Sequence, residues 1–595
     1  MAPTGLILPT MTEVPADVAG GLSEPEELEP EQGSLRLSSP DDHYDAAAWE
    51  AATAAVLRKA RKLGDDDPDS AVWAKLTRTT LDGIRVAPIG SPADLEVLST
   101  YGRPTRAGDW DIRAHVSGPD AAAANEAMLI DLDNGATSLW VELGAGLDVE
   151  DLPRALRGVL LDLAPVVLSG SSVAAARALV ALSDDTGVDL HPSTNFGADP
   201  LAADLVDMAT LAREQGVLGV MACGLRVHEQ GASDGQELGV VIAAGVTALR
   251  ALTAAGFSAS EAAAVIEFRL AVTAEQFPSI AKLRAARRLW ARVLELSAVP
   301  EDAMRQHAVT SRAQMSKYDP WVNILRGTVA AFAAGVGGAE AVTVIPFDEP
   351  LGLPDALGRR IARNTSSLLI SESHLARVAD PAGGSYAVEK LTDDLAIAGW
   401  AEFQRIEAAG GLAADDALAG RIAAVAAARD EQVALRRRPL TGVSEFPHLG
   451  ESLPERAASP IGDDVRSYGH AFEALRDEPA PSPVFLATMG TVAAHTARAT
   501  FASNLFAAGG VAVEAAGPTD GVESVLATYG KQSVVCLAGT DKAYAEWGTD
   551  LVTALREARA THVIIAGKPI DGVDDSCAIG IDALTFLTTT RERLA

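Results

Sequence analysis

The chain has 595 residues, 48% apolar and 22% charged, proportions that suit about three to five ordinary domains or one large barrel with attachments. Its 49 Lys and Arg face 81 Asp and Glu, a net charge of −32. Such an excess repels phosphate backbones and anionic lipid, and no basic stripe interrupts it, so nucleic acid and membrane surfaces are excluded as partners. An anionic small molecule remains possible only where a pocket concentrates Arg. Cys223, Cys536 and Cys577 lie far apart and form neither a C-x-x-C pair nor a zinc spacing. The opening MAPTGLILPT carries no basic leader, and the longest apolar stretch, Gly327–Ala339, is too short to cross a bilayer. A cytoplasmic chain is expected.

The first 45 residues read as an acidic, Pro-broken arm, densest at Glu24–Glu31, which has too little apolar content to bury a core. Such a run is either a solvated tail or an arm that wraps a partner chain. From Asp45 to Leu63 the period becomes helical, with Trp49, Ala52, Val56 and Ala60 at three- and four-residue steps. Beyond Leu81, β-rich runs alternate with long Ala-rich helical stretches. The predicted strands are Ser138–Leu143, Val166–Ser169, Val188–His191, Leu218–Cys223, Val265–Leu270, His307–Thr310 and Val342–Pro346. The predicted helices include Gly235–Ala255 and Ser279–Ser297. Repeated strand–helix units predict a (β/α)8 TIM barrel over 81–395, following an arm and helix over 1–80.

Leu391 to about Arg438 reads as two helices, and Pro439–Pro483 has the composition of a Pro-rich linker, so 396–482 is taken as a helical segment plus linker. Alternation resumes at Val484–Thr488, Val511–Ala515, Ser533–Leu537, Val563–Ala566 and Ala578–Ile581. Five such units over 483–595 predict a small flavodoxin-like, doubly wound α/β domain, whose ligand would lie at the strand C-terminal ends.

The usual signatures of chemistry are missing: no H-E-x-x-H or His/Cys cluster, no phosphate loop and no nucleophile elbow. Gly335–Gly338 follows a helical run and reads as a helix C-cap. His495 follows the strand Val484–Thr488, where a ligand loop would lie. It is either a ligand or a helix-surface or capping residue, and no Asp or Glu between Phe485 and Ser503 could fix its tautomer. Arg226, His228 and Glu229 follow the strand Leu218–Cys223 and are either an acid–base set or the polar residues any barrel mouth gathers. Arg269, in EFRLA, pairs either with an anion or with a neighbouring carboxylate, and the structural pair is the one expected.

Three blocks carry more. IAKLRAARRLW (Ile280–Trp290), TVIPFDEPLGLPDALGRRIARNTSSLLISES (Thr343–Ser373) and DPAGGSYAVEKLTDDLA (Asp380–Ala396) resemble the methylmalonyl-CoA mutase family, and the resemblance runs from about Trp110 to the C-terminus. It implies an acyl-CoA-binding barrel joined to a cobalamin domain. The implied reaction is the radical interconversion of (R)-methylmalonyl-CoA and succinyl-CoA, for which adenosylcobalamin supplies the radical.

Residue by residue the implied sites do not carry over. Where active members have D-x-H-x-x-G, whose His ligates cobalt, this chain has Val492, Ala494 and Ala497, with His495 one place out of step. The later cobalamin motifs align with Ala538-Gly539-Thr540 and Ala566-Gly567. In the barrel, the family's Tyr-His pair aligns with Leu225 and Arg226, the Tyr of R-Q-Y-A-G with His115, and a substrate-contacting Gln with Val309. Scaffold without sites resembles the small (β) subunits of this family. That implies a non-catalytic chain paired in a heterodimer with a catalytic large (α) subunit that carries the adenosylcobalamin. No catalytic, cofactor-binding or metal-ligating residue is then assigned to this chain. Two other readings stand beside it: an active cobalamin-dependent acyl-CoA mutase of altered specificity using His495 or His228, and a docking module for the mutase's GTPase chaperone.

Overall fold

The computed structural model describes residues 44–95, 98, 106–118, 120–300, 304–459 and 464–595. The acidic run Glu24–Glu31 lies outside them. The chain divides after Thr77 into two compact units. In the first, the helix Ala46–Lys59 is capped by Asp45, whose carboxylate accepts from the Ala48 N–H at 2.8 Å. Ala54, Leu57, Leu63 and Val72 form its small core, with the Trp49 and Trp73 rings 4.6 Å apart.

The second unit begins with a two-stranded antiparallel hairpin, β1 (Arg78–Thr79) and β2 (Arg85–Val86). Eight parallel strands then close into a barrel: β3 (Asp111–Val116), β4 (Ser138–Glu142), β5 (Val166–Ser169), β6 (Asn195–Ala198), β7 (Leu218–Cys223), β8 (Ile266–Val272), β9 (Gln306–Thr310) and β10 (Ala341–Thr343). Closure is made by β10 on β3, with Ala341 opposite Asp111 and Val342 opposite Ile112. A second sheet holds β11 (Val484–Thr488), β12 (Val513–Ala515), β13 (Val534–Ala538), β14 (His562–Ala566) and β15 (Asp575–Cys577) in the order β12-β11-β13-β14-β15. All its pairs are parallel, which is the 2-1-3-4-5 order of flavodoxin-like folds.

Two predicted strands need correction, and one strand was not predicted at all. Val188–His191 is not a strand. The preceding helix ends at Gly187 (φ +69°), and the Val188 N–H turns back to the Ser183 carbonyl. The strand is Asn195–Ala198, whose Gly197 (φ +75°) sits so close to β5 that a Cβ would lie 1.9 Å from the Leu168 carbonyl oxygen. The barrel strand Asp111–Val116 has no apolar run to announce it: Ile112, Ala114 and Val116 alternate with Asp111, Arg113 and His115. Finally, β15 falls three residues ahead of the predicted Ala578–Ile581. It is an edge strand, where the polar Asp575 and Ser576 are tolerated.

The Pro-rich segment 439–483 is not a free tether. It contains the helix His470–Asp477 and is fastened to the barrel. The Tyr468 N–H donates to the Ala313 carbonyl at 2.8 Å, the Arg466 N–H to that of Glu229 at 2.9 Å, and Arg456 pairs with Asp348 at 2.6 Å. These anchors lie beyond the C-terminal ends of β7, β9 and β10.

The helix Asp234–Ala254 is long and apolar enough to cross a membrane, but its apolar faces are buried around the barrel. Gly245 lets it approach β8 and the helix Gln276–Leu296, since a Cβ there would meet Phe268 at 2.7 Å and Trp290 at 2.9 Å. Charge fixes the same junction. Lys282 is fully buried with its Nζ 2.6 Å from Glu237 and 2.8 Å from Asp234, and Glu237 accepts the Ala271 N–H at 2.6 Å. The two carboxylates outweigh burial and push the Lys282 ammonium up. Lys282→Met, which strands Glu237 without its cation, is expected to cost about 3–5 kcal/mol in urea denaturation, and adding Glu237→Gln to recover part of it. A loss below about 1 kcal/mol in the single variant would contradict the arrangement.

Candidate functional site

In a (β/α)8 barrel the residues able to act on a ligand sit at the C-terminal ends of the strands and point inward. Here Trp140, on β4, occupies that space, 4% exposed. Its indole N–H donates to Ser169 Oγ on β5 at 2.7 Å. His115 on β3 packs with its ring centroid 4.3 Å away, and His307 on β9 meets it edge-on at 5.5 Å. Arg269, on β8, lays its guanidinium 4.0 Å over the indole face. Leu225, Ala271, Val309, Met315 and Ile345 pack with Trp140 into one apolar cluster, and Cys223 lies against it.

The polar groups beneath are held rigidly. Arg269 donates from Nε to His307 Nδ1 at 3.0 Å and from Nη1 to Ser169 Oγ at 2.9 Å. His307 Nδ1 is therefore an acceptor. Its Nε2 carries the proton and donates to Thr343 Oγ1 at 2.7 Å, which in turn donates to the Arg113 carbonyl at 2.9 Å. Burial, with the neighbouring Arg113 and Arg269, holds His307 well below the ordinary histidine value. Burial also lowers His115, and Arg312 acts in the same direction. Arg113 is neutralised by Glu267 at 2.9 Å and Asp111 at 3.0 Å.

The sequence candidates do not converge on one point. Arg226 is exposed on the short helix Leu225–Glu229. His228 is buried, with Nε2 2.7 Å from Ser311 Oγ and Nδ1 3.4 Å from Glu237. Glu229 pairs with Arg312 at 3.2 Å. Arg269 has no carboxylate partner at ion-pair distance among the described residues, so the expected pair is replaced by the Trp140 face. Trp140 itself carried no sequence signal beyond its place in a β-rich run; the period of two in β4 would have turned it to one face but not chosen which.

In the second sheet, His495 lies in the first turn of the helix Val492–Ala508, 7% exposed, with Nδ1 3.3 Å from the Gly490 carbonyl. The N-cap of this helix is Thr491, so His495 is a buried residue bonded to its own loop rather than a cap. Arg498, a turn further on, donates to the Gly539 carbonyl at 2.8 Å, pairs with Asp541 at 2.5 Å and lies over the Tyr544 ring at 4.9 Å. The Tyr544 hydroxyl is 2.9 Å from the Gly539 N–H and 2.8 Å from the Ala566 carbonyl. These two side chains fill the space between the C-terminal ends of β13 and β14. Beside β11 and β12, at the switch point, lies an open depression of about 590 Å3 lined by Thr491, Val492, Ala493, Pro518, Thr519 and Asp520, with no histidine or cation. Among the described residues no group of three or more His, Cys, Asp or Glu could hold a metal ion.

The family model for methylmalonyl-CoA mutase matches residues 202–470. A methylmalonyl-CoA mutase small subunit from Streptomyces virginiae is 44% identical over 95% of this chain and 99% of its own. The chain belongs to the methylmalonyl-CoA mutase small-subunit family. A second small subunit, from Propionibacterium freudenreichii subsp. shermanii, is 34% identical over 92% of this chain and 94% of its own. The methylmalonyl-CoA mutase of Escherichia coli is 34% identical over only 38% of this chain. In this small-subunit chain, Leu225 and Val309 are both packed in the apolar cluster with Trp140. Arg498 bonds the Gly539 carbonyl and lies against Gly567.

The buried neutral histidines carry a pH dependence. In the unfolded chain His307 takes up a proton below its ordinary value of about 6.5, while in the folded barrel it does not. Stability is therefore full above pH ~6.5 and falls by about 1.4 kcal/mol per pH unit below it for each such group. Urea denaturation from pH 7 to 5.5 is expected to follow this slope, and His307→Gln to flatten it. An unchanged slope in the variant would contradict the buried neutral assignment.

Proposed function

We propose that this chain is the non-catalytic structural subunit of a heterodimeric methylmalonyl-CoA mutase. It pairs with a large subunit and supports that partner's adenosylcobalamin-dependent interconversion of (R)-methylmalonyl-CoA and succinyl-CoA, in the metabolism of propionate, while binding neither thioester nor cobalamin itself. The observation that carries the reading is the filled barrel. Trp140 and Arg269 stand where a threaded ligand would have to pass, and Leu225 and Val309 close the space around them with apolar side chains.

The residues also do not fit cobalamin. Ala494 cannot ligate cobalt, and His495 is turned onto its own loop carbonyl. Arg498 and Tyr544 fill the cleft beside Gly539. The altered-specificity reading needs His495 or His228 to be available, and both are engaged within the protein.

The name shared by the relatives points to a large-subunit partner. A partner that binds only the folded state stabilises it by mass action, and an obligate pair of this kind buries more than roughly 2,000 Å2. The task left to this chain is to cover the large subunit's interface and hold its barrel in a competent shape.

The test is reconstitution. The large subunit alone is expected to have at most about a tenth of the mutase activity of the pair, and addition of this chain to restore it with a one-to-one complex on size exclusion. Full activity without this chain, or a mixture that stays as separate monomers, would overturn the assignment.

A further inference from the structure

The helix Trp321–Val336, which follows β9, carries no charged face. Its sequence WVNILRGTVAAFAAGV holds one charged residue, Arg326, and no carboxylate. Gly327, Ala330, Ala331 and Ala334 are buried, as the inner face of a barrel helix should be. The outer face is apolar too. Trp321 is 59% exposed and Leu325 66%, one turn apart, with Ile324 half-buried beside them. Even Arg326 is withdrawn: its guanidinium donates to Ser316 Oγ at 2.9 Å, Asn323 Oδ1 at 2.7 Å and the Thr441 carbonyl at 2.8 Å. A helix that is apolar all round belongs in an environment that covers it all round.

A loop of the segment 439–483 extends this face. The Arg326 bond to Thr441 fastens its start, and the Asp319 N–H, donating to the Glu451 carboxylate at 2.9 Å, fastens its end. Between these anchors stand Phe446, 68% exposed, and Leu449, 39% exposed. Phe446 has φ +53°, a left-handed backbone in which a bulky side chain crowds its own main chain. Strain of this kind persists where the surroundings over-determine it, and it clusters at functional sites. Here it turns an aromatic ring to the outside, where the free chain gains little from it. The four side chains together present roughly 400 Å2 of apolar surface, on the scale of 150–250 Å2 for a whole aromatic side chain. A stable interface takes about 800 Å2 from each partner, and its core is apolar and rich in Trp and Phe. The patch has the size and composition of such a core.

We propose that Trp321, Leu325, Phe446 and Leu449 form the apolar centre of the surface that docks the large subunit of the mutase. This placement rests on the heterodimer reading above and adds to it where the partner sits. A second copy of this chain is the poorer occupant, because each copy brings a charge of −32 and the two repel. The names of the relatives supply a partner that is not a copy. The surface is also prepared for docking. The Trp321 ring stacks on Phe347, in the loop after β10, with centroids 5.1 Å apart, and both ends of the Phe446 loop are tied. Groups already held in place lose little freedom when a partner covers them.

The experiment is calorimetric titration of the full chain with the purified large subunit. Leu325→Arg and Phe446→Gly are each expected to weaken pairing at least tenfold. Leu163→Gln, which alters a side chain 67% exposed ahead of β5 at the opposite end of the barrel, is expected to leave it unchanged. Glycine accepts the left-handed backbone at 446, so the thermal midpoint of Phe446→Gly is expected to stay near that of the wild type while its pairing falls. Misfolding would not give that split. Hydroxyl-radical footprinting is expected to label Trp321 and Phe446 in the free chain and to be suppressed at both in the pair. Tight pairing kept by both variants, or labelling that the pair does not suppress, would overturn this surface and leave the heterodimer reading standing. Labelling already suppressed in the free chain as its concentration rises would assign the surface to a second copy and overturn the proposal. Failure of the wild-type chain to pair at all would overturn the heterodimer reading together with it.

Discussion

A closed eight-stranded barrel encloses a space that must be filled either by its own side chains or by a ligand. In this chain the upper part of that space belongs to Trp140. The indole is fixed by its bond to Ser169, and its faces are taken by His115 and by the guanidinium of Arg269. Everything around it follows. Arg269 is buried there and donates from Nη1 to Ser169 and from Nε to His307. His307 must then stay neutral and pass its own proton to Thr343. Leu225 and Val309 can be apolar because they meet an aromatic ring rather than a polar ligand.

The second sheet repeats the logic with different residues. A flavodoxin-like sheet offers a ligand crevice where its strand order reverses and along the strand C-terminal ends. Arg498 and Tyr544 bond across that edge to the carbonyl groups of Gly539 and Ala566, and His495 is consumed by Gly490. Both domains thus keep their scaffold and place their own side chains in the space at the strand C-terminal ends. That economy fits a chain whose work is done at a surface. The segment 439–483 strengthens the same scaffold, since its bonds to Ala313, Glu229 and Asp348 tie it to the barrel mouth.

The runs Ser138–Leu143, Val166–Ser169, Leu218–Cys223 and Val484–Thr488 were legible because parallel strands covered on both faces read as continuous apolar text. Two barrel strands escaped for opposite reasons. Asp111–Val116 carries Arg113 and His115, and the Arg113 charge is settled by Asp111 on the same strand together with Glu267 from β8. Asn195–Ala198 is short and built around a glycine that only a neighbouring strand explains. For the site, sequence alone could say which aligned residues were missing. It could not say what had replaced them, because the inward turn of Trp140 and the reach of Arg498 are set by register and by helix placement, not by spacing. Arg269 illustrates the point: a buried Arg reads as half of an ion pair, and the fold gave it an indole instead.

On the proposed function, one chain of the pair holds the chemistry and this one holds none. The most direct measurement is the stoichiometry of tightly bound adenosylcobalamin on the purified, reconstituted pair, read from its visible absorbance against total protein. One cobalamin per two chains is predicted, all of it retained by the large subunit when the chains are separated; two per pair, or cobalamin retained by this chain, would contradict it.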